Sequence, residues 1–199
     1  MIFLRNFINF KGLIGISLVL IALSTAIIAP LIIPPEYATN MDMRARLSLP
    51  SSDHFLGTDQ LGRDLFYRVM LGARTSISIA VSAVLLSLII GLPMGLISGF
   101  FRGTVDNILM RLVDTLLSFP ALLLALTISA VLGPNLKNTI LAIGIAFTPY
   151  LARLIRGEAL RVSQMPYVEA AKAAGANNFR IMVGHILPNI TPVIIVQFT

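Results

Sequence analysis

Residues 75–101, TSISIAVSAVLLSLIIGLPMGLISGFF, hold no charged side chain. The run exceeds the roughly 18 to 20 apolar residues that span a bilayer core. Working outward, residues 12–35, 115–136 and 181–199 are also free of charge, and each is read as a span. A shorter run, 138–152, is bounded by Lys137 and Arg153, whose long stems can reach the two interfaces, so it is read as a fifth. Composition agrees: of 199 residues, 56% are hydrophobic and 12% charged, with a mean hydropathy of +0.88. The expected fold class is therefore all-α, a polytopic transmembrane helical bundle with five spans in this chain.

The first span follows Arg5 and Lys11. It is longer than a secretory h-region and no Ala-x-Ala site follows, so it is read as an uncleaved anchor. There is no cysteine, and His54 and His185 are the only histidines, which excludes disulfides, thiolate chemistry and cysteine metal sites. The net charge of +6 is scattered between apolar runs without a basic stripe, which argues against nucleic acid as a partner and for membrane lipid.

Basic residues collect in short cytoplasmic loops. Arg5 and Lys11 place the N-terminus in the cytoplasm, which puts 36–74 outside, the turn at Arg102 inside, 133–138 outside and 153–180 inside. The last stretch has five basic residues (Arg153, Arg156, Arg161, Lys172, Arg180) against Glu158 and Glu169. The outer segment has five arginines balanced by five acids.

Three regions follow: an N-terminal cytoplasmic segment and anchor (1–35), a periplasmic linker with an amphipathic helix (36–74), and a core (75–199) with a cytoplasmic loop at 153–188. Pro30, Pro34 and Pro35 should end the first helix. Leu65, Val69 and Ala73 recur at helical spacing, and Asp64 and Arg68 are placed to pair. Arg111 and Asp114 form a second candidate pair. Gly91, Gly95 and Gly99 make a doubled small-xxx-small pattern that lets another helix approach closely. Pro120 and Pro149 should kink their helices.

The most informative stretch is Tyr167-Val168-Glu169-Ala170-Ala171-Lys172-Ala173-Ala174-Gly175, followed by His185-Ile186-Leu187-Pro188. Pro166 sits where a helix can start, Glu169 suits its first turn, and the alanines favour helix with little bulk. Gly175 is placed to end it in a left-handed cap. A second helical piece should present Phe179, Met182 and Val183 on one side and stop at Pro188.

The spacing Glu-Ala-Ala, three residues, Gly, nine residues, His-x-Leu-Pro resembles the cytoplasmic loop of permeases of bacterial ATP-binding-cassette importers. The His-Ile-Leu-Pro-Asn form resembles the dipeptide, oligopeptide and nickel branch. His54, Gly57-Thr58-Asp59, Gly62-Arg63-Asp64, Arg68 and Gly72-Ala73-Arg74 resemble its C-type subunits, with Tyr67 where many relatives have Ser.

The resemblance implies a non-catalytic subunit of the bacterial inner membrane that forms half of a path for dipeptides, oligopeptides, nickel chelates or opines. It implies a second homologous permease, two ATP-binding subunits that carry the ATP and Mg, and a periplasmic or lipid-anchored solute-binding protein. The helix around Glu169 would dock on the ATPase, with Tyr167, Glu169, Ala170, Ala171, Ala174, Gly175, His185, Leu187 and Pro188 forming the coupling loop. It also implies a sixth span beyond Thr199, so that the sequence is expected to be truncated. The chain has no phosphate-cradling Gly-x-x-x-x-Gly-Lys-Ser/Thr loop, and no catalytic, cofactor or metal residue is assigned in it. A stand-alone carrier or channel is the rival, but neither inverted repeats nor midplane charges favour it.

Overall fold

A computed structural model of the chain describes residues 10–197. Its helices are α1 (Phe10–Ile32), α2 (Glu36–Thr39), α3 (Leu65–Phe101), α4 (Gly103–Leu117), α5 (Ala121–Leu132), α6 (Leu136–Ser163), α7 (Pro166–Ala173), α8 (Asn178–Ile181) and α9 (Leu187–Gln197); a 3-10 turn lies at Met43–Ala45 and a π turn at Met182–Ile186. Among the described residues four helical segments are long and apolar enough to cross a membrane, or five if α4 and α5, bent by 86° at their junction, together make one span. The all-α polytopic class is the one observed. Arg5 and the side chain of Lys11, on which the assignment of sides leans, lie outside the described residues.

The chain divides into two compact units, residues up to Ser78 and residues from Ile79 on. The division falls inside α3, which runs unbroken for 37 residues. At 1.5 Å per residue it is about 55 Å long, well beyond a ~30 Å hydrocarbon core. The expected amphipathic helix is therefore the first turns of α3, and its Val69 is exposed.

In the first unit α1 passes through Pro30 and ends at Ile32. Pro30 removes a single donor, which a membrane helix tolerates, whereas Pro34 disfavours helical backbone at Ile33 and stops the chain there. The expected Asp64–Arg68 pair does not form. Asp64 instead caps α3, accepting from the backbone N–H of Phe66 at 2.8 Å and Tyr67 at 3.3 Å, because the first turn of a helix has donors without partners. Its other oxygen meets His54 Nδ1 at 2.9 Å, and Arg68 donates to Asp59. Asp59 also accepts from the N–H groups of Leu61 at 2.7 Å and Arg63 at 3.0 Å, and from Arg63 Nε at 2.8 Å. Desolvation opposes its charge, but these donors and the Arg63 guanidinium outweigh it and lower its pKa to about 2.

In the second unit α3 lies against α6 along a stripe of small residues. Ala83, Ser87, Gly91, Gly95 and Gly99 are all buried, and they recur every fourth position, so they line one face. A Cβ at Gly95 would sit 2.4 Å from the Ala152 carbonyl oxygen, and one at Gly99 would sit 2.7 Å from that of Arg156. Backbone thus meets backbone across the contact. Ser87 donates to the Gly144 carbonyl at 2.8 Å, which satisfies a buried hydroxyl. Leu96, Leu151, Ile155, Ala159 and Val162 join Val168, Ile181, Ile186, Ile190 and Ile194 in one apolar core.

Three expectations are corrected here. Residues 115–136 are not one straight span: α4 ends at Leu117 and α5 starts after Pro120, whose ring cannot continue the preceding helix. The helix that holds the run 138–152 does not end with it, since α6 continues through Pro149 and past Arg153 to Ser163, so the first part of the expected loop is helix. Pro188 is not a stop either. The π turn ahead of it, closed by Leu187 N–H on the Met182 carbonyl, shifts the register by one residue, and α9 runs on to Gln197. That shift makes Ile181, Ile186, Ile190 and Ile194 the buried face; Phe179 and Val183 are exposed, and Met182 alone of the expected trio packs on the core.

Two outcomes follow. Gly95→Leu should lower the melting temperature of the detergent-purified chain, since overpacking of this kind costs at least about 1–3 kcal/mol; Gly157→Leu, where a Cβ meets nothing within 4 Å, should leave it unchanged. Asp59 has a depressed pKa, so the stability that it contributes is complete above the ordinary carboxylate range and is lost as pH falls through about 2. Protease resistance of the loop at 42–64 should drop between pH 4 and pH 2 more steeply in the native chain than in Asp59→Asn, and parallel curves would refute this.

Candidate functional site

The end of α6 carries the motif into solvent. Met165, in extended backbone, is the N-cap of α7, and Pro166 occupies the first turn, where its missing N–H costs nothing. Glu169 stands in that turn and Lys172 in the last, each matched to the helix dipole. At the far end Gly175 takes φ +82°. Its N–H donates to the Lys172 carbonyl and that of Ala176 to the Ala171 carbonyl, both at 3.0 Å. This is a Schellman closure, and the left-handed residue in it favours glycine.

Val168 is the single buried residue of α7. Tyr167, Glu169, Ala170, Ala174 and Gly175 are exposed and Ala171 is half-buried, so most of the motif faces outward from one anchor. Among the described residues Glu169 makes no ion pair. His185 and Leu187 are half-buried in and beside the π turn, and Pro188 is exposed. Asn189 Nδ2 donates to the His185 carbonyl at 2.7 Å, occupying one acceptor in the widened turn. The two halves of the motif are joined through Val168, Ile181 and Ile186, all fully buried in the common core. These residues were not singled out in the sequence for this role; the five-residue step from Ile181 to Ile186 fits neither a strand nor an α-helix.

A polar corner lies where α3 turns into α4. Asp106 is 8% exposed and accepts from Arg156 Nε at 2.5 Å and Nη2 at 2.6 Å, a bidentate fork. The buried Ser98 hydroxyl donates to the same carboxylate. Between the helices Arg102 adopts φ +54°, ψ −166°, near a region that is almost confined to glycine and costs a larger residue on the order of 1–3 kcal/mol. Its Nη2 donates to Ser163 Oγ at 3.1 Å, at the last residue of α6. Lys172 of α7 lies over the Phe100 ring, 5.2 Å from its centroid. None of this corner was legible, because Arg156, Ser163 and Lys172 lie fifty or more residues from the groups they meet and Arg156 reads as one more loop cation.

The expected Arg111–Asp114 pair is replaced by Asp114 with Arg153, since Asp114 faces α6 and not its own helix. Their side chains are 60% and 54% exposed. Arg153 also borders an open cleft of roughly 430 Å³ with Leu117, Tyr150, Leu154 and Gln197. Gly91, Gly95 and Gly99 lie away from the cleft in the α3–α6 contact. Among the described residues no group of three or more His, Cys, Asp or Glu side chains is placed to hold a metal ion.

Residues 91–199 match the sequence profile of the family described as binding-protein-dependent transport system inner membrane component. The chain is 40% identical to the dipeptide transport system permease protein DppC of Alkalihalophilus pseudofirmus, over 96% of the chain and 62% of that protein. It is 36% identical to the glutathione transport system permease protein GsiD of Pectobacterium atrosepticum, over 99% and 66%. It is 38% identical to the oligopeptide transport system permease protein OppC of Bacillus subtilis, over 96% and 62%. The chain thus spans less than two thirds of the length of these relatives.

The two ion pairs should differ in weight. Arg156→Leu leaves Asp106 buried with a hydroxyl as its remaining side-chain partner and should cost about 3 kcal/mol, whereas Arg153→Leu breaks an exposed pair worth roughly 0–1 kcal/mol. Melting of the two purified variants measures this, and equal losses would contradict it.

Proposed function

Since the chain belongs to the family of binding-protein-dependent transport system inner membrane components, we propose that it is one of two membrane-spanning permease subunits of an ATP-driven importer. It forms half of the translocation path, together with a second, related permease. Two ATP-binding subunits on the cytoplasmic side bind ATP and Mg and supply the energy, and an external solute-binding protein delivers the cargo. The chain itself is non-catalytic. The cargo is a dipeptide, an oligopeptide or a solute of similar size, a reading supported by the names of the relatives. On this reading the N-terminus is cytoplasmic and α7 lies on the cytoplasmic side.

The observation that carries the proposal is the form of α7. It is a two-turn helix held by one buried valine, closed at a left-handed glycine, and otherwise presenting Tyr167, Glu169, Ala170 and Ala174 to solvent. An alanine surface buries little by itself but lets a partner's backbone come close. An unpaired Glu169 adds a charge for the partner to meet. Because α7 follows α6 after a turn of two residues, motion of a docked ATPase passes directly into a membrane helix.

Ala170→Trp and Glu169→Lys should each weaken ATPase co-purification at least tenfold, an effect of about 1.4 kcal/mol, and should depress dipeptide uptake at matched membrane abundance. Insertion of the spans should be unchanged. Gly175→Val should act in the same direction, because a β-branched residue resists positive φ. Full ATPase association by both Ala170→Trp and Glu169→Lys would sink the docking role.

A further inference from the structure

We infer that Arg102 is a positioning residue that ties the α3–α4 corner to the end of α6, so that the corner moves with α7 when the ATPase closes. The inference rests on the docking role proposed above.

Three contacts converge on the corner. Arg102 Nη2 holds Ser163 Oγ at 3.1 Å, Arg156 forks onto Asp106 at 2.5 and 2.6 Å, and Lys172 covers Phe100 at 5.2 Å. Arg156 and Ser163 stand two helical turns apart on one side of α6, and Lys172 belongs to α7 itself. The corner is thus gripped at two levels of the stalk and once by the docking helix. The decisive feature is the backbone at Arg102. Its φ of +54° suits glycine, and glycine is the next residue in the chain. A purely structural turn would be more stable with glycine at position 102 as well. An arginine at that position is accounted for by its side chain, whose visible contact is the hydroxyl at the foot of α7. The tether to Ser163, and not the shape of the turn, is what the position supplies.

Arg102→Gly separates the two roles, because it relaxes the backbone while removing the guanidinium; Ser163→Ala removes the acceptor without touching the backbone. The chain has no native cysteine, so spin labels at Asn107→Cys and Asn178→Cys report the distance from the corner to the segment that follows α7. The measurement uses the transporter assembled with its ATPases in nanodiscs, with and without Mg and a non-hydrolysable ATP analogue. In the parent complex the corner moves with α7, so the nucleotide should leave this distance unchanged to within about 1 Å. Arg102→Gly and Ser163→Ala should each let it change by at least about 2 Å, the scale of helix movements in switching proteins, while Arg102→Gly melts at the parent temperature or above. A distance that stays fixed in both variants, or one that changes by about 2 Å or more in the parent with ATPase bound, overturns the inference and leaves the docking proposal standing. If Ala170→Trp and Glu169→Lys still bind ATPase in full, the docking proposal falls and the inference falls with it.

Discussion

The close contact of α3 with α6 is the constraint on which the second unit depends. Within lipid no hydrophobic drive separates helix from tail, so association rests on van der Waals packing and on how near two backbones can come. Glycines at 91, 95 and 99 opposite Ala152, Ile155 and Ala159 bring the two helices into direct contact. That approach places Asp106, just past the end of α3, within reach of Arg156, and Arg102 within reach of Ser163. A wider spacing would leave Asp106 buried without its guanidinium, which is a costly state. The small residues and the ionic corner are therefore one arrangement.

From this contact the geometry passes outward to α7. The stalk that carries it is a single helix, continuous from Leu136 to Ser163 in spite of Pro149 and the charges beyond it. At its end the chain turns on Met165 and Pro166, and Val168 enters the core that Ile181, Ile186 and Ile190 complete. The π turn is essential to this core, because it spaces Ile181 and Ile186 five apart and still keeps them on one face. With an ordinary α-helical register one of the two would point away from Val168. The exposed alanines are thus held on a rigid base although α7 has only two turns.

The first unit follows a different principle. Its loop between α2 and α3 is organised by carboxylates acting on nearby donors: Asp42 on Arg44, Asp59 on Leu61, Arg63 and Arg68, and Asp64 on the start of α3. Two of the five arginines of this segment, Arg63 and Arg68, pair their charges with Asp59, so part of the charge that weighs against the assignment of sides is matched locally. The same segment also exposes Leu47, Leu49, Phe55 and Leu56.

By itself the sequence determined the all-α membrane class, the approximate spans, the limits of α7 and its left-handed glycine, and the small-residue stripe. Each is a local property: charge-free length, helix propensity, a cap residue, or a four-residue repeat that holds for any neighbour. It misplaced the partners of Asp64 and Asp114, because i, i+3 and i, i+4 rules see only side chains of one helix, while Asp64 caps the backbone of α3 and meets His54 and Asp114 answers to α6. It also set stops at Ala152 and Pro188, where α6 and α9 continue; burial and a one-residue change of register outweigh local breakers once a core is available. Only the tertiary structure decided the Asp106–Arg156 fork, the strained Arg102 and the union of Val168 with Ile181 and Ile186, because those contacts join residues that share no local pattern and meet only after the helices have packed.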